Sequence, residues 1–232
     1  MIICAIKNYP KCDIDDSTAL LGALDKGDLT RYRRYKSASA ANQFLWGRLL
    51  LRYLLCHYCN FSNQTISFIY NEHGKPELAN SSVFFNISHS DQWIVCAVDA
   101  YPVGIDIQRV GKWRPAVARR MATDEEYASL MAQSAVDRIK SFYALWTLKE
   151  SYSKAIGTGL KLPFNSFDIK KSRSSRLFKT NDNYFLRQRE IDCHYNLAIC
   201  SANENFSFNI TNIDPNKLKA YWTELTRRTS PR

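Results

Sequence analysis

Val103-Gly104-Ile105-Asp106-Ile107-Gln108 sits near the middle of the chain, and its reading decides the fold. Isoleucines flank Asp106, and strand side chains alternate with period two, so Asp106 and Gln108 share one face. Two oxygen-bearing side chains on one face suit a hard cation such as magnesium. An edge strand with a wet face reads the same way. Upstream, residues 66–70, 83–87 and 93–98 are strand-like, and a long helix precedes them. Ser37 or Ser39 caps that helix, which carries Phe44, Leu45, Leu49, Tyr53 and Leu54 at helical spacing as far as about Tyr58. Downstream, residues 134–156 read as a second long helix, ended by Gly157. Strand-like runs return at 167–169, 184–188 and 195–200. A long helix followed by about three strands thus occurs twice. That order predicts an α+β protein of two similar halves, residues 1–101 and 102–232, each a long helix with a small antiparallel sheet. Residues 1–7 read as a buried strand, and a short helix with a basic end follows Asp214.

Composition narrows the function classes. The chain has 232 residues, 45% hydrophobic and 13% aromatic, enough for a sizeable core and against wholesale disorder. Its formal net charge of +10 favours an anionic partner: nucleic acid, a membrane surface, a phosphorylated small molecule or an acidic protein. The basic stretch from Arg31 to Tyr35 is too short to carry a nucleic-acid case, and no stripe of basic and stacking residues accompanies it. Residues 1–6 are too short and lack the basic lead of a secretory signal, and no run of about 18 apolar residues spans a membrane. The expectation is a cytoplasmic protein with neither a nucleic-acid nor a membrane partner. Of seven cysteines only Cys56 and Cys59 are close, with no second pair at zinc spacing, so buried free thiols are the better reading.

Four clusters carry possible chemistry. Gly74-Lys75-Pro76 is a turn whose lysine could meet a phosphate. Asn86-Ile87-Ser88-His89-Ser90 ends a strand with two hydroxyls and an imidazole, groups suited to an anion or to capping the next turn. Thr123-Asp124-Glu125-Glu126 is a capping box, which alone accounts for Glu126. In Leu145-Trp146-Thr147-Leu148-Lys149-Glu150-Ser151-Tyr152-Ser153-Lys154, the side chains of Trp146, Glu150 and Lys154 share one helical face. Glu150 and Lys154 read either as a surface ion pair or as the carboxylate and ammonium that a metal-bound phosphate needs.

In this order the four clusters closely resemble the surfactin-synthetase-activating type of 4'-phosphopantetheinyl transferase, from about Arg31 to Phe167. The resemblance implies a cleft between two pseudo-symmetric halves that holds coenzyme A and magnesium. The reaction it implies moves the phosphopantetheine group to a serine of an acyl or peptidyl carrier protein and releases 3',5'-ADP. A non-catalytic binder of coenzyme A or carrier protein is the alternative. By resemblance, Gly74, Lys75 and Pro76 border the adenine, Ser88 and His89 contact the coenzyme phosphates, and Arg31 meets the 3'-phosphate. Asp106, Gln108, Glu126 and Glu150 occupy metal-site positions. Lys154 lies on the pyrophosphate, and Glu150, with Lys149, helps to deprotonate the serine. Two positions depart from the pattern. Gln108 stands where bacterial relatives show a carboxylate, and Gln43 stands where they often have a phosphate-binding arginine, for which Arg33 or Arg34 compensates. Two internal halves let a monomer build the whole cleft.

Overall fold

The computed structural model describes residues 1–11, 14–171 and 177–229. Its first half runs β1 (Ile2–Lys7), α1 (Ile14–Leu21), α2 (Lys26–Arg33), α3 (Ala38–Tyr58), β2 (Phe68–Tyr70), β3 (Pro76–Leu78), β4 (Phe84–Ser90) and β5 (Trp93–Asp99). The second runs β6 (Val103–Arg109), α4 (Pro115–Met121), α5 (Asp124–Met131), α6 (Ala135–Ile156), β7 (Lys170–Lys171), β8 (Phe178–Lys179), β9 (Phe185–Ile191), β10 (Tyr195–Ser201), β11 (Thr211–Asn212) and α7 (Pro215–Thr229). The two long helices match their sequence signals. The Ser37 hydroxyl accepts from the amide of Ala40 at the start of α3, Ser134 caps α6 in the same way, and Gly157 ends α6 at φ +80°. Residues 167–169, expected as strand, are not strand, and residues 63–65 form a 3₁₀ turn that shortens β2. The basic stretch after residue 28 lies largely in α2, capped by Asp25.

Four layers result. Helix α3 covers one face of the sheet β11-β1-β5-β4 with Leu45, Leu49 and Leu54, against Cys4, Ile6, Ile94 and Cys96. The other face of that sheet meets the sheet β6-β10-β9-β8-β7 through Ile3, Val95, Ile105, Ile107 and Ile199. Helix α6 covers the far side with Leu148, Tyr152 and Ala155 against Leu186, Ala198 and Cys200. Both sheets are antiparallel except where β11 pairs with β1 in parallel.

The division at residue 101 separates the two sheets but not two independent modules. After β10 the chain crosses back: β11 adds to β1, and α7 lies against α1 and α3, with Leu218 and Trp222 buried in the first half's core. The indole N–H of Trp222 donates to the Leu49 carbonyl at 3.1 Å.

The seam between the sheets is made by side chains. β4 and β6 are edge strands of different sheets, and exposed edges invite unwanted pairing. Here the alternating Asn86, Ser88 and Ser90 side chains of β4 accept the amide N–H groups of Ile105, Ile107 and Arg109, at 2.9, 3.3 and 3.0 Å. The run Asn-Ile-Ser-His-Ser therefore encodes a join between halves. The wet-edge reading of residues 103–108 fails for the same reason: β4 closes the edge, α6 covers the polar face, and Asp106 is 1% exposed.

Candidate active site

Asp106 is the centre of the seam. Its Oδ1 accepts from the Ser88 hydroxyl at 2.8 Å and from the Lys154 ammonium at 2.5 Å, while the Gln108 amide nitrogen donates to Oδ2 at 3.1 Å. Lys154 also donates to Ser88 at 2.9 Å, so one ammonium from α6 spans both halves. The period-two placement of Asp106 and Gln108 holds, and Lys154 reaches Asp106 across the seam. One turn before Lys154, Glu150 faces the same region. Burial, and then the charge of Asp106, push its carboxyl above the ordinary range, with Lys154 opposing. Glu150 lines a cavity of about 500 Å³ with Trp146, Met121, Phe164 and the cations Arg120 and Lys161.

His89 follows Ser88 on β4 and turns to the opposite face, beside Ile87 and α3. Desolvation in the cleft, and then the Lys154 ammonium, lower its pKa. It borders a second cavity of about 330 Å³ with Arg31, Gln43, Arg48 and Pro76. The guanidinium of Arg31 lies over the rings of Tyr70 and Phe44 at 5.4 and 5.5 Å. Arg48 lies 4.2 Å over Phe68, donates to the Tyr70 hydroxyl at 3.2 Å and pairs with buried Asp28 at 3.0 Å. Burial raises the Asp28 carboxyl, against the pull of Arg48.

Three of the residues singled out from the sequence have their side chains engaged elsewhere in this structure. Glu126 does not join the metal-site group. Its Oε2 accepts from the Thr123 amide at 2.8 Å in the expected capping box and pairs with Lys149 at 2.6 Å. Lys149 does not enter the cleft. Its fully buried ammonium donates to the carbonyls of Phe164 and Phe167 at 2.6 and 2.9 Å, pinning the loop after α6. Nor does Lys75 point into the cavity of His89 and Arg31, although Gly74 has the expected positive φ of 79° and Pro76 lines that cavity. The Lys75 ammonium donates to the Ala155 carbonyl at 3.0 Å, and burial lowers its pKa to about 8. Arg48 was not anticipated, and it, not Arg33 or Arg34, borders the cavity beside Gln43. The available signal was Arg48 and Arg52 one turn apart on α3, matched by Asp25 and Asp28 before it.

Magnesium suits the donor set that remains. Asp106 and Glu150 are hard oxygen donors; burial and then the charge of Asp106 raise Glu150, and a cation bound by both would offset that charge. Among the described residues no three His, Cys, Asp or Glu side chains come together. Magnesium does not demand three, because it commonly takes one or two carboxylates and completes its shell with water and phosphate.

Comparison with known proteins identifies the family. A family described as "4'-phosphopantetheinyl transferase superfamily" matches residues 102–211, and one described as "4'-phosphopantetheinyl transferase, N-terminal" matches residues 13–101. The chain is 38% identical over 189 residues to the 4'-phosphopantetheinyl transferase gsp of Aneurinibacillus migulanus, covering 80% of this chain and 78% of that one. It is 32% identical over 191 residues to the 4'-phosphopantetheinyl transferase Sfp of Bacillus subtilis (strain 168), covering 80% of this chain and 85% of that protein. This chain belongs to the 4'-phosphopantetheinyl transferase superfamily.

Proposed function

We propose that this enzyme transfers 4'-phosphopantetheine from coenzyme A to a carrier-protein serine at the seam between its halves, in a magnesium-dependent reaction. The observation that carries the reading is the meeting of Ser88, Asp106 and Lys154 between two cavities of different character. Arg31 and Arg48 give one cavity the cations for a nucleotide phosphate, and His89 adds an imidazole hydrogen-bond donor, with Pro76 at its wall. Trp146, Met121 and Phe164 give the other an apolar trough for a pantetheine arm, and Arg120 and Lys161 suit the acidic surface of a carrier. Asp106 and Glu150 would hold the magnesium ion, and Gln108 could offer an uncharged oxygen if its amide turned. Magnesium bound there would offset negative charge on the pyrophosphate.

The chain's own groups divide the remaining work. Lys154 leaves Asp106 to meet a pyrophosphate oxygen, keeping the Ser88 contact as its anchor. Glu150 accepts the proton of the carrier serine, directly or through water, as a positioned carboxylate can. The serine Oγ forms the new bond to phosphorus, the bond to the bridging oxygen breaks, and 3',5'-ADP leaves with the electron pair. Both cavities lie within one chain, so a monomer suffices. Among the described residues, no helix is long and apolar enough to cross a membrane.

The test is incubation with coenzyme A, magnesium and a panel of apo-carriers, followed by intact mass. A carrier heavier by one phosphopantetheine, with 3',5'-ADP released, supports the reading. Tight coenzyme A binding with every carrier unmodified would favour a non-catalytic binder instead.

A further inference from the structure

The turn between β2 and β3 is stiff. The Asn71 side-chain oxygen accepts the amides of His73 and Lys75, both at 2.9 Å, and the Asn71 amide donates to the Lys75 carbonyl at 3.0 Å. From this turn two donors cross to the other half. The Asn71 side-chain nitrogen donates to the Gly157 carbonyl at 3.3 Å and Lys75 to the Ala155 carbonyl at 3.0 Å. The last carbonyls of a helix lack partners within it, and a cation there complements the helix dipole. The fit is close: a Cβ on Gly157 would stand 3.0 Å from the Asn71 nitrogen and 3.1 Å from Lys75 Cδ.

We propose that Lys75 is a positioning residue: with Asn71 it clamps the C-terminal end of α6, and through that helix end it sets Lys154 against Asp106. This deepens the function proposed above and rests on it. Lys154 immediately precedes Ala155, so the clamp holds the helix where the reactive ammonium leaves it. The same hairpin carries Tyr70, which accepts from Arg48 and lies under Arg31. A nucleotide seated against Pro76 therefore presses on the piece that grips α6. Lys75 acts on catalysis through the helix, with its donors aimed away from the nucleotide cavity.

Amide hydrogen exchange in residues 152–157, coenzyme A affinity, and kcat with KM test this in the full chain. Lys75→Met and Asn71→Ala should both speed exchange in that turn. They should lower kcat by up to roughly 100-fold, the scale of an ångström of misplacement, with KM for coenzyme A unchanged. Lys75→Arg, which can still reach the carbonyl, should restore both. Wild-type exchange in both variants overturns the proposal, as does a raised KM for coenzyme A with kcat retained. Asn71→Ala keeps the buried lysine and decides the matter if Lys75→Met does not fold. The exchange readout needs no turnover. A wild-type protein that modifies no carrier would defeat the proposed function while the clamp is still judged.

Discussion

The backbones of Gly104 and Ser151 touch: a Cβ placed on Gly104 would stand 2.0 Å from the Ser151 carbonyl oxygen, and 2.4 Å from the Ala155 amide nitrogen. Strand β6 and helix α6 approach so closely that only glycine fits. This contact sets the height of α6 over β6, and so the reach of Lys154 and Glu150 towards Asp106.

Gly104→Ala should therefore injure both stability and activity. The obstructing atoms are backbone, which cannot rotate aside, so the cost should lie at the upper end of the usual overpacking range of about 1–3 kcal/mol. A lifted helix should lower kcat by up to roughly 100-fold in the protein that still folds. Thermal melts and single-turnover transfer check this. A stable, fully active alanine variant would show that α6 slides freely on β6.

Lys149→Met separates the buried pair from the chemistry. It strands the Glu126 carboxylate and frees the loop at Phe164 and Phe167. Breaking such a pair costs about 3–5 kcal/mol, which for a chain of this size lowers Tm by roughly 6–20 °C. Because that loop also carries Phe164 and Lys161 into the cavity beside Glu150, KM should rise, while kcat per folded molecule stays near wild type. A normal melt with kcat lost would return Lys149 to the catalytic group.

Gln108→Glu places a second carboxylate where an amide now donates to Asp106. In a chelator the variant should melt below wild type, because the two charges repel. Magnesium should raise its Tm by more than it raises the wild type's, and half-maximal activity should need less metal. Equal magnesium responses in both proteins would mean that the side chain does not face the ion.

Lys75 makes a prediction about pH. Its pKa falls from the ordinary 10.5 to about 8 through burial, so between those values the unfolded chain binds more protons than the folded one. Stability from this group therefore rises with pH across the window, by at most about 1.4 kcal/mol per pH unit, and is lowest below pH 8. Measured against Lys75→Met by urea melts, wild type should gain as pH climbs from 8 to 10.5. A flat or falling difference would mean the ammonium is solvated.

The legible parts of the fold were those with local causes. Ser37, Ser134 and Gly157 bound their helices through groups a few residues away, and Thr123 with Glu126 forms its box within one turn. Asp106 and Gln108 were placed by strand period alone. Side chains whose roles depend on distant backbone were not legible. Lys149 is next to Glu150 in sequence, yet the loop at 164–167 draws it to another side of the helix. Lys75 reads as a phosphate ligand until the end of α6, eighty residues on, is seen beside it. Arg48 is hidden in an apolar helix because its partner Asp28 belongs to another element.

The crossing of β11 and α7 back to the first half bears on synthesis. Helix α3, which supplies Gln43, Phe44 and Arg48 to the cavity beside His89, rests on Trp222, and β1 gains a parallel neighbour only from residues 211–212. During translation, α3 and β1 emerge long before those supports exist. The first half keeps an apolar face uncovered until residue 222 emerges and packs against it, and closing contacts across such separations is intrinsically slow. A nascent chain stalled before that point would expose the apolar side chains that Leu218 and Trp222 otherwise cover.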